Sequence, residues 1–108
     1  MNVRTQAQPL PPDAKAYART AEFTETTIPR ALLKAHSTRD GAWALIHVLL
    51  GELAYRITDP RRPMQELILS PQTPPGTVEP TILHEVAPLG AVRFYVEFHR
   101  REMAEKDL

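Results

Sequence analysis

The stretch Trp43-Ala44-Leu45-Ile46-His47-Val48-Leu49-Leu50-Gly51-Glu52-Leu53-Ala54-Tyr55-Arg56-Ile57-Thr58 decides the fold class. Its first half is apolar at nearly every position, which is typical of a strand buried on both faces or of a fully buried helix. After Gly51, the larger apolar residues Leu53, Tyr55 and Ile57 alternate with smaller or polar ones. Because alternation after a glycine is typical of a β-hairpin, we expect two strands here, joined by a turn at Gly51.

Shorter apolar segments flank this stretch and are separated by turn signals rich in proline. We predict further strands at residues 20–24, 65–69, 77–86 and 93–99, with turns at 59–63, 70–76 and 88–90. A short helix is predicted from a cap at Thr27 to about His36, because Pro29 is tolerated in a first helical turn. Many short strands with little helix predict an all-β protein, either an antiparallel sandwich or a small barrel.

The chain of 108 residues is of the size of one compact domain. We predict a flexible N-terminal arm at residues 1–12, the β-domain at 13–100 and a charged C-terminal tail at 101–108. The first residues lack the apolar run of a signal peptide, and no segment of about 18 apolar residues occurs. We therefore expect a cytoplasmic protein.

The composition excludes several classes of function. Thirteen Lys and Arg balance thirteen Asp and Glu, so neither nucleic acid nor a membrane is an expected partner. Cysteine is absent, so any metal must be held by histidine and carboxylate. Glycine-rich phosphate loops, G-x-S-x-G and H-E-x-x-H are missing, which argues against common hydrolases and nucleotide enzymes. Whether the chain is an enzyme stays open, and no catalytic residue is predicted.

The four histidines are the candidates for metal or ligand binding, because imidazole combines metal affinity with titration near neutral pH. His36 follows the predicted helix, and His84 lies in a strand after a proline-rich corner. Histidines at the ends of different strands can converge inside a barrel. The alternative is that His36 caps the helix and His84 fills a half-buried position. Glu97 is the candidate third ligand, although its face of the strand is opposite the expected core, where it could instead pair with Arg93.

The remaining candidates have a structural and a functional interpretation each. Trp43 and Tyr55 are predicted to line a small-molecule pocket if they face inward, and to be core residues otherwise. His47 is interpreted as a core or interface histidine, and His99 as a solvated one. The Arg61-Arg62 pair either meets an anion or forms an exposed loop tip.

Four blocks of the sequence, Lys34–Trp43, Leu49–Tyr55, Val78–Val86 and Arg93–Phe98, resemble the small YeaR/TehB-like cupins associated with tellurite resistance. The resemblance runs from about Tyr17 to Arg100. It implies a cupin-type double-stranded β-barrel, which is jelly-roll-like and often self-associates. It also implies that His36 and His84 match the two family histidines that face the barrel cavity. Glu97 falls where relatives often carry an acidic residue.

The resemblance implies a divalent metal ion, either zinc, nickel or iron, held by His36, His84 and Glu97 with a small molecule or oxyanion in the cavity. The activity would belong to a stress response. The alternative is a metal-free module that binds a small ligand or a protein. Larger relatives fuse this barrel to a methyltransferase that uses S-adenosylmethionine, and 108 residues leave no room for it, so we do not expect methylation. The doubly apolar strand Trp43–Leu50 predicts a homo-oligomer, in the simplest case a dimer.

Overall fold

A computed structural model describes residues 9–101 of the chain as an antiparallel β-sheet with one short 3₁₀ helix. The all-β prediction is therefore confirmed. The strands are β1 (Ala14–Arg19), β2 (Phe23–Thr24), β3 (Trp43–Ile57), β4 (Gln65–Leu69), β5 (Gly76–Val78) and β6 (His84–Arg101). Residues 1–8 of the predicted arm and 102–108 of the predicted tail lie outside the described range. Within that range, no helix is long and apolar enough to cross a membrane.

The predicted N-terminal helix is wrong, because only a four-residue 3₁₀ helix, Arg30–Leu33, forms in its place. Thr27 does not cap it. Its Oγ1 instead accepts a hydrogen bond from the backbone N–H of Thr24 at 2.7 Å, and so closes the turn that follows β2. The helix ends at once because Lys34 is already extended, with φ of −128° and ψ of 160°.

The two long strands β3 and β6 form the centre of the sheet, and the shorter strands pair with their outer edges. The order is β1-β6-β3-β4, with β2 also pairing with β6 and β5 with β3. Within residues 9–101, β1 and β4 are the two ends of this order and do not pair with each other, so the sheet is not closed into a barrel.

The hairpin predicted at Gly51 is wrong, because β3 continues without reversal from Trp43 to Ile57. The register with β6 shifts on both sides of Gly51, which has a φ of +79°. A Cβ at Gly51 would lie 1.9 Å from the carbonyl oxygen of Ala91, so the two backbones are in close contact here. Gly51 therefore marks a β-bulge, where a glycine permits both the positive φ and the close approach.

One face of the sheet carries the hydrophobic core. In the first half of β3 the inward residues are Ala44, Ile46 and Val48, whereas after the bulge they are Leu53, Tyr55 and Ile57. The bulge therefore changes which residues of β3 face inward. The opposite face of the first half presents Trp43, Leu45 and His47, which are only half-buried. The core side of the sheet contains the cavity described next.

Candidate functional site

His36 and His84 lie side by side because their backbones pair. His36 follows the 3₁₀ helix, and His84 is the first residue of β6. The backbone N–H of each donates to the carbonyl oxygen of the other, and both hydrogen bonds are 2.9 Å long. Residues paired in this way project their side chains to the same side of a sheet. The ring centroids are 4.3 Å apart, so the structure brings the two histidines together.

Backbone carbonyls orient both rings and fix their tautomers. Nδ1 of His84 lies 3.0 Å from the carbonyl oxygen of Ile82, and Nδ1 of His36 lies 3.3 Å from that of Lys34. A carbonyl only accepts, so Nδ1 is the donor in each contact. In the neutral ring the lone pair is then on Nε2, and within the described residues neither Nε2 has a hydrogen-bond partner. This is the tautomer in which metal-binding histidines are commonly held.

Burial keeps His84 neutral at physiological pH. His84 is only 5% exposed, and the resulting desolvation is the main cause that lowers its pKa to about 4. The hydrogen bond to Ile82 opposes this shift, and the neighbouring His36 contributes a smaller lowering. His36 is half-buried and lies closer to solvent. At neutral pH, His84 is therefore an uncharged ring with an available lone pair.

The two rings line a cavity of about 190 Å³ between the 3₁₀ helix and the core face of the sheet. Among residues 9–101, only Thr20 and Thr38 contribute polar side chains to the lining besides these two rings, and no charged side chain does. The apolar lining residues are Phe23, Pro29, Ala31, Leu32, Ala44, Ile46, Val78, Val86, Phe94, Val96 and Phe98. A largely apolar pocket with a few convergent polar groups is the usual form of a small-ligand site.

Tyr55 supports His84 from behind and is not part of the cavity lining. Its ring meets the His84 ring edge-on at 5.8 Å between centroids, and its hydroxyl donates to the carbonyl oxygen of Thr77 at 2.7 Å. Burial, assisted by the Glu79 carboxylate, raises the pKa of Tyr55. The side chain is 2% exposed, and so Tyr55 belongs to the core.

A buried carboxylate fixes the backbone where β6 begins. Asp59 is 3% exposed and accepts hydrogen bonds from the side chain and the backbone N–H of Arg61, and from the backbone N–H of Leu83. These three interactions hold the pKa of Asp59 far below its usual range. Leu83 immediately precedes His84. Asp59 therefore anchors the loop after β3 to the segment that positions the His84 ring.

Glu97, the predicted third ligand, lies elsewhere, on the opposite face of the sheet. Its Oε1 accepts hydrogen bonds from Nε2 of His47 at 3.1 Å and from Nε2 of His99 at 3.0 Å. The bond from His99, together with the weaker one from His47, lowers the pKa of Glu97. Tyr95 stacks on the His47 ring at 4.7 Å. In residues 9–101, no group of three or more histidine and carboxylate side chains has a geometry that would hold a metal ion.

Trp43 and the two loop arginines also lie away from the cavity. Trp43 lines a shallow surface depression with Tyr17 and Arg39. Arg61 binds Asp59, and Arg62 forms an ion pair with Glu79, so both arginines already have carboxylate partners.

The sequence interpretation missed Asp59 and the two threonines of the lining. An aspartate before a proline, followed by Arg61, is a typical signal for a turn stabilised by the aspartate side chain, and this signal could have identified Asp59. The threonines have no such local signal, since their position depends on how distant strands pack.

The chain is a small antiparallel β-domain with a histidine-bearing apolar cavity on one face of its sheet. Residues 18–96 match the sequence model of the TehB-like domain, and the chain belongs to that family. A comparison with the curated proteins finds no match.

Two solved structures share this fold. TehB from Haemophilus influenzae superimposes with a TM-score of 0.76 at 23% identity over 83% of this chain. The match covers only 32% of TehB, so the chain spans about a third of that protein. A protein from E. coli strain K12 has a TM-score of 0.76 at 14% identity, and the match covers 89% of this chain and 99% of that one.

Proposed function

We propose that this TehB-like domain is a small cupin-type protein, close to the YeaR/TehB-like group, that binds a divalent metal ion and a small ligand or anion in its cavity. The proposal includes a cytoplasmic stress response of the kind associated with tellurite resistance, and it assigns no reaction. The observation that carries it is the pair of adjacent imidazoles that line the cavity, each with Nδ1 engaged by a carbonyl and with no partner for Nε2 among the described residues.

The donor set fits a metal ion in part. Zinc, nickel and iron all accept neutral imidazole nitrogen, and two such nitrogens from adjacent rings would occupy two positions of a coordination shell. Water and the ligand would complete the shell, because Glu97 points to the other face of the sheet. With two protein ligands the metal would be held weakly and would remain accessible to a ligand in the cavity.

The His36→Ala/His84→Ala double variant is expected to bind zinc at least roughly 100-fold more weakly than the wild type. The measurement is calorimetric titration of protein purified without a nickel column, with elemental analysis of the purified sample. The His47→Ala/His99→Ala variant is the matched control, because it also loses two adjacent imidazoles but leaves the cavity unchanged, and its zinc binding should be retained. Equal zinc binding by the wild type and both variants would end the metal proposal.

The alternative function is that of a metal-free module for a small ligand, and the apolar lining with only two possible protein ligands favours it. A thermal-shift screen separates the two functions, since a ligand that binds only the folded state raises Tm. Stabilisation by metal ions supports the first function, whereas stabilisation by organic molecules alone supports the second.

We also propose self-association through the outer face of β3 and β6, where Trp43, Leu45 and His47 lie beside Tyr95 and are only half-buried. Light scattering at micromolar concentration should detect a dimer. Leu49→Asp should weaken it by roughly tenfold or more, because a carboxylate would be buried in the interface without a partner.

The matched control for self-association is Leu89→Asp. Leu49 is 41% exposed and Leu89 is 45% exposed, but Leu89 lies in a stretch of β6 that does not pair with β3, on the other side of Gly51 from the His47–Tyr95 pair. A wild type that is monomeric throughout, or a dimer weakened equally by both substitutions, would contradict the proposed interface.

A further inference from the structure

The polar groups of the cavity differ in what they can still offer a ligand. Four side chains of the lining are polar, namely His36, His84, Thr20 and Thr38. The Thr20 hydroxyl donates to the carbonyl oxygen of Ala21 at 2.7 Å and accepts from the backbone N–H of Val96 at 3.0 Å. The Thr38 hydroxyl donates to the carbonyl oxygen of Ala42 at 2.6 Å. Both hydroxyl protons are therefore already used within the protein.

Both histidines offer a ligand a hydrogen-bond acceptor. Each ring uses its Nδ1–H on a backbone carbonyl, so each neutral ring presents to a ligand the lone pair of Nε2. Among the side chains that line the cavity, the uncommitted polar atoms are therefore hydrogen-bond acceptors. With both rings neutral, an anion would find no free side-chain donor and no positive charge among the described residues that line the metal-free cavity, and its desolvation would be uncompensated.

The size and walls of the cavity indicate what kind of molecule fits. Its volume is about 190 Å³, and an apolar protein cavity of about 150 Å³ is known to hold benzene. Phe23, Phe94 and Phe98 contribute aromatic walls. Phe23 and Phe94 pack edge-to-face at 5.6 Å, an arrangement that a further aromatic ring can extend. A single six-membered ring with one small substituent matches this space.

We propose that the metal-free cavity binds small neutral phenols, with the ring between the phenylalanines and the hydroxyl donating to Nε2 of the His36–His84 pair. This inference rests on the proposed function in that the cavity is a ligand site, but it does not require the metal. The hydroxyl of a phenol supplies the hydrogen-bond donor that the lining side chains do not offer, and the rest of the molecule is apolar. The same lone pairs would hold a metal, so phenol and zinc should exclude each other.

The test is a calorimetric titration of the chelator-treated full chain with phenol, toluene and benzoate at neutral pH. Toluene has the shape of phenol without the donor, and benzoate carries the negative charge. Phenol is expected to bind more tightly than toluene, and benzoate more weakly than both. Benzoate binding more tightly than phenol, or toluene equal to phenol, would overturn the inference.

A variant isolates the role of the imidazoles. In His36→Leu/His84→Leu the cavity remains apolar but loses both acceptors, so the preference for phenol over toluene should fall by roughly two- to tenfold, as expected for one lost hydrogen bond. The His47→Leu/His99→Leu control should keep the wild-type preference. An unchanged preference in the cavity variant would show that the rings do not accept the hydroxyl.

A readout on the wild type covers the case in which the cavity variant fails to fold. In long-range ¹H–¹⁵N spectra, phenol should move the Nε2 resonances of His36 and His84 and leave those of His47 and His99 in place. Zinc added to the phenol complex should displace phenol. Zinc binding at this pair with no phenol binding would overturn the phenol inference alone, whereas failure of zinc, phenol and toluene to bind would overturn the proposed function as well.

Discussion

Gly51→Ala should destabilise the protein by about 3–5 kcal/mol, a large part of the 5–15 kcal/mol or so that holds a typical domain folded. An added Cβ would meet the carbonyl oxygen of Ala91 at 1.9 Å, and the neighbouring atom is backbone, which cannot rotate away. The residue also has a φ of +79°, where a side chain adds strain of about 1–2 kcal/mol. Both the steric clash and the backbone strain arise at the bulge between β3 and β6, so the clash can be relieved only if these two central strands move apart.

The matched control is Gly90→Ala, measured with Gly51→Ala by urea unfolding. Gly90 has a similar φ of +94°, but no heavy atom lies within 4 Å of its added Cβ. Only the strain of the positive φ remains, so the loss should be about 1–2 kcal/mol. Similar losses at the two positions would mean that the close contact at Ala91 contributes nothing to the effect.

Acidification from pH 7 to pH 4 should remove about 3 kcal/mol of stability through His84 alone. The pKa of His84 is about 4 in the folded protein, against an ordinary value of 6.5. Between these values the unfolded chain binds a proton that the folded chain does not, so stability is full above about pH 6.5 and falls as the pH decreases. Below about pH 4 both states are protonated, and His84 adds no further loss.

The measurement is urea unfolding at several pH values in a chelating buffer, compared with His84→Asn. Asparagine retains a side-chain N–H for the carbonyl of Ile82 but does not titrate in this range. The carboxylates titrate in both proteins, so the difference between the two curves isolates His84. A His84→Asn curve as steep as that of the wild type would contradict the assignment.

Local patterns predicted the strands well where pairing follows from alternation. The segment 65–69 forms a strand with the predicted bounds, and residues 93–99 lie within β6. The glycines at positions 51 and 90 predict chain reversals, but a bulge also favours glycine with a positive φ, which both residues have. The difference depends on whether the flanking strands continue side by side, which is a non-local property.

The bulge also explains why Trp43 and Tyr55, the two aromatic candidates for the pocket, lie on opposite faces of the sheet. Trp43 and Tyr55 are an even number of positions apart, so a regular strand would place both on one face. The register shifts around Gly51 change the phase, and Tyr55 faces the core while Trp43 lies on the outer face. For Glu97, strand parity alone predicted the outer face, and the structure places it there against His47 and His99. Its candidacy as a third ligand came from the need for a carboxylate beside the two histidines, and the family resemblance supported it, in spite of this parity.

The main-chain pairing of His36 with His84 has a consequence for redesign of the cavity. The two histidine backbones are held together by two main-chain hydrogen bonds, which do not depend on the side chains of the cavity wall. The residues of the cavity wall can therefore be substituted to admit ligands of different shape while the two histidines stay paired. An insertion beside His36 or His84, by contrast, shifts the register of this pairing and moves one ring away from the other, even when the cavity wall is unchanged.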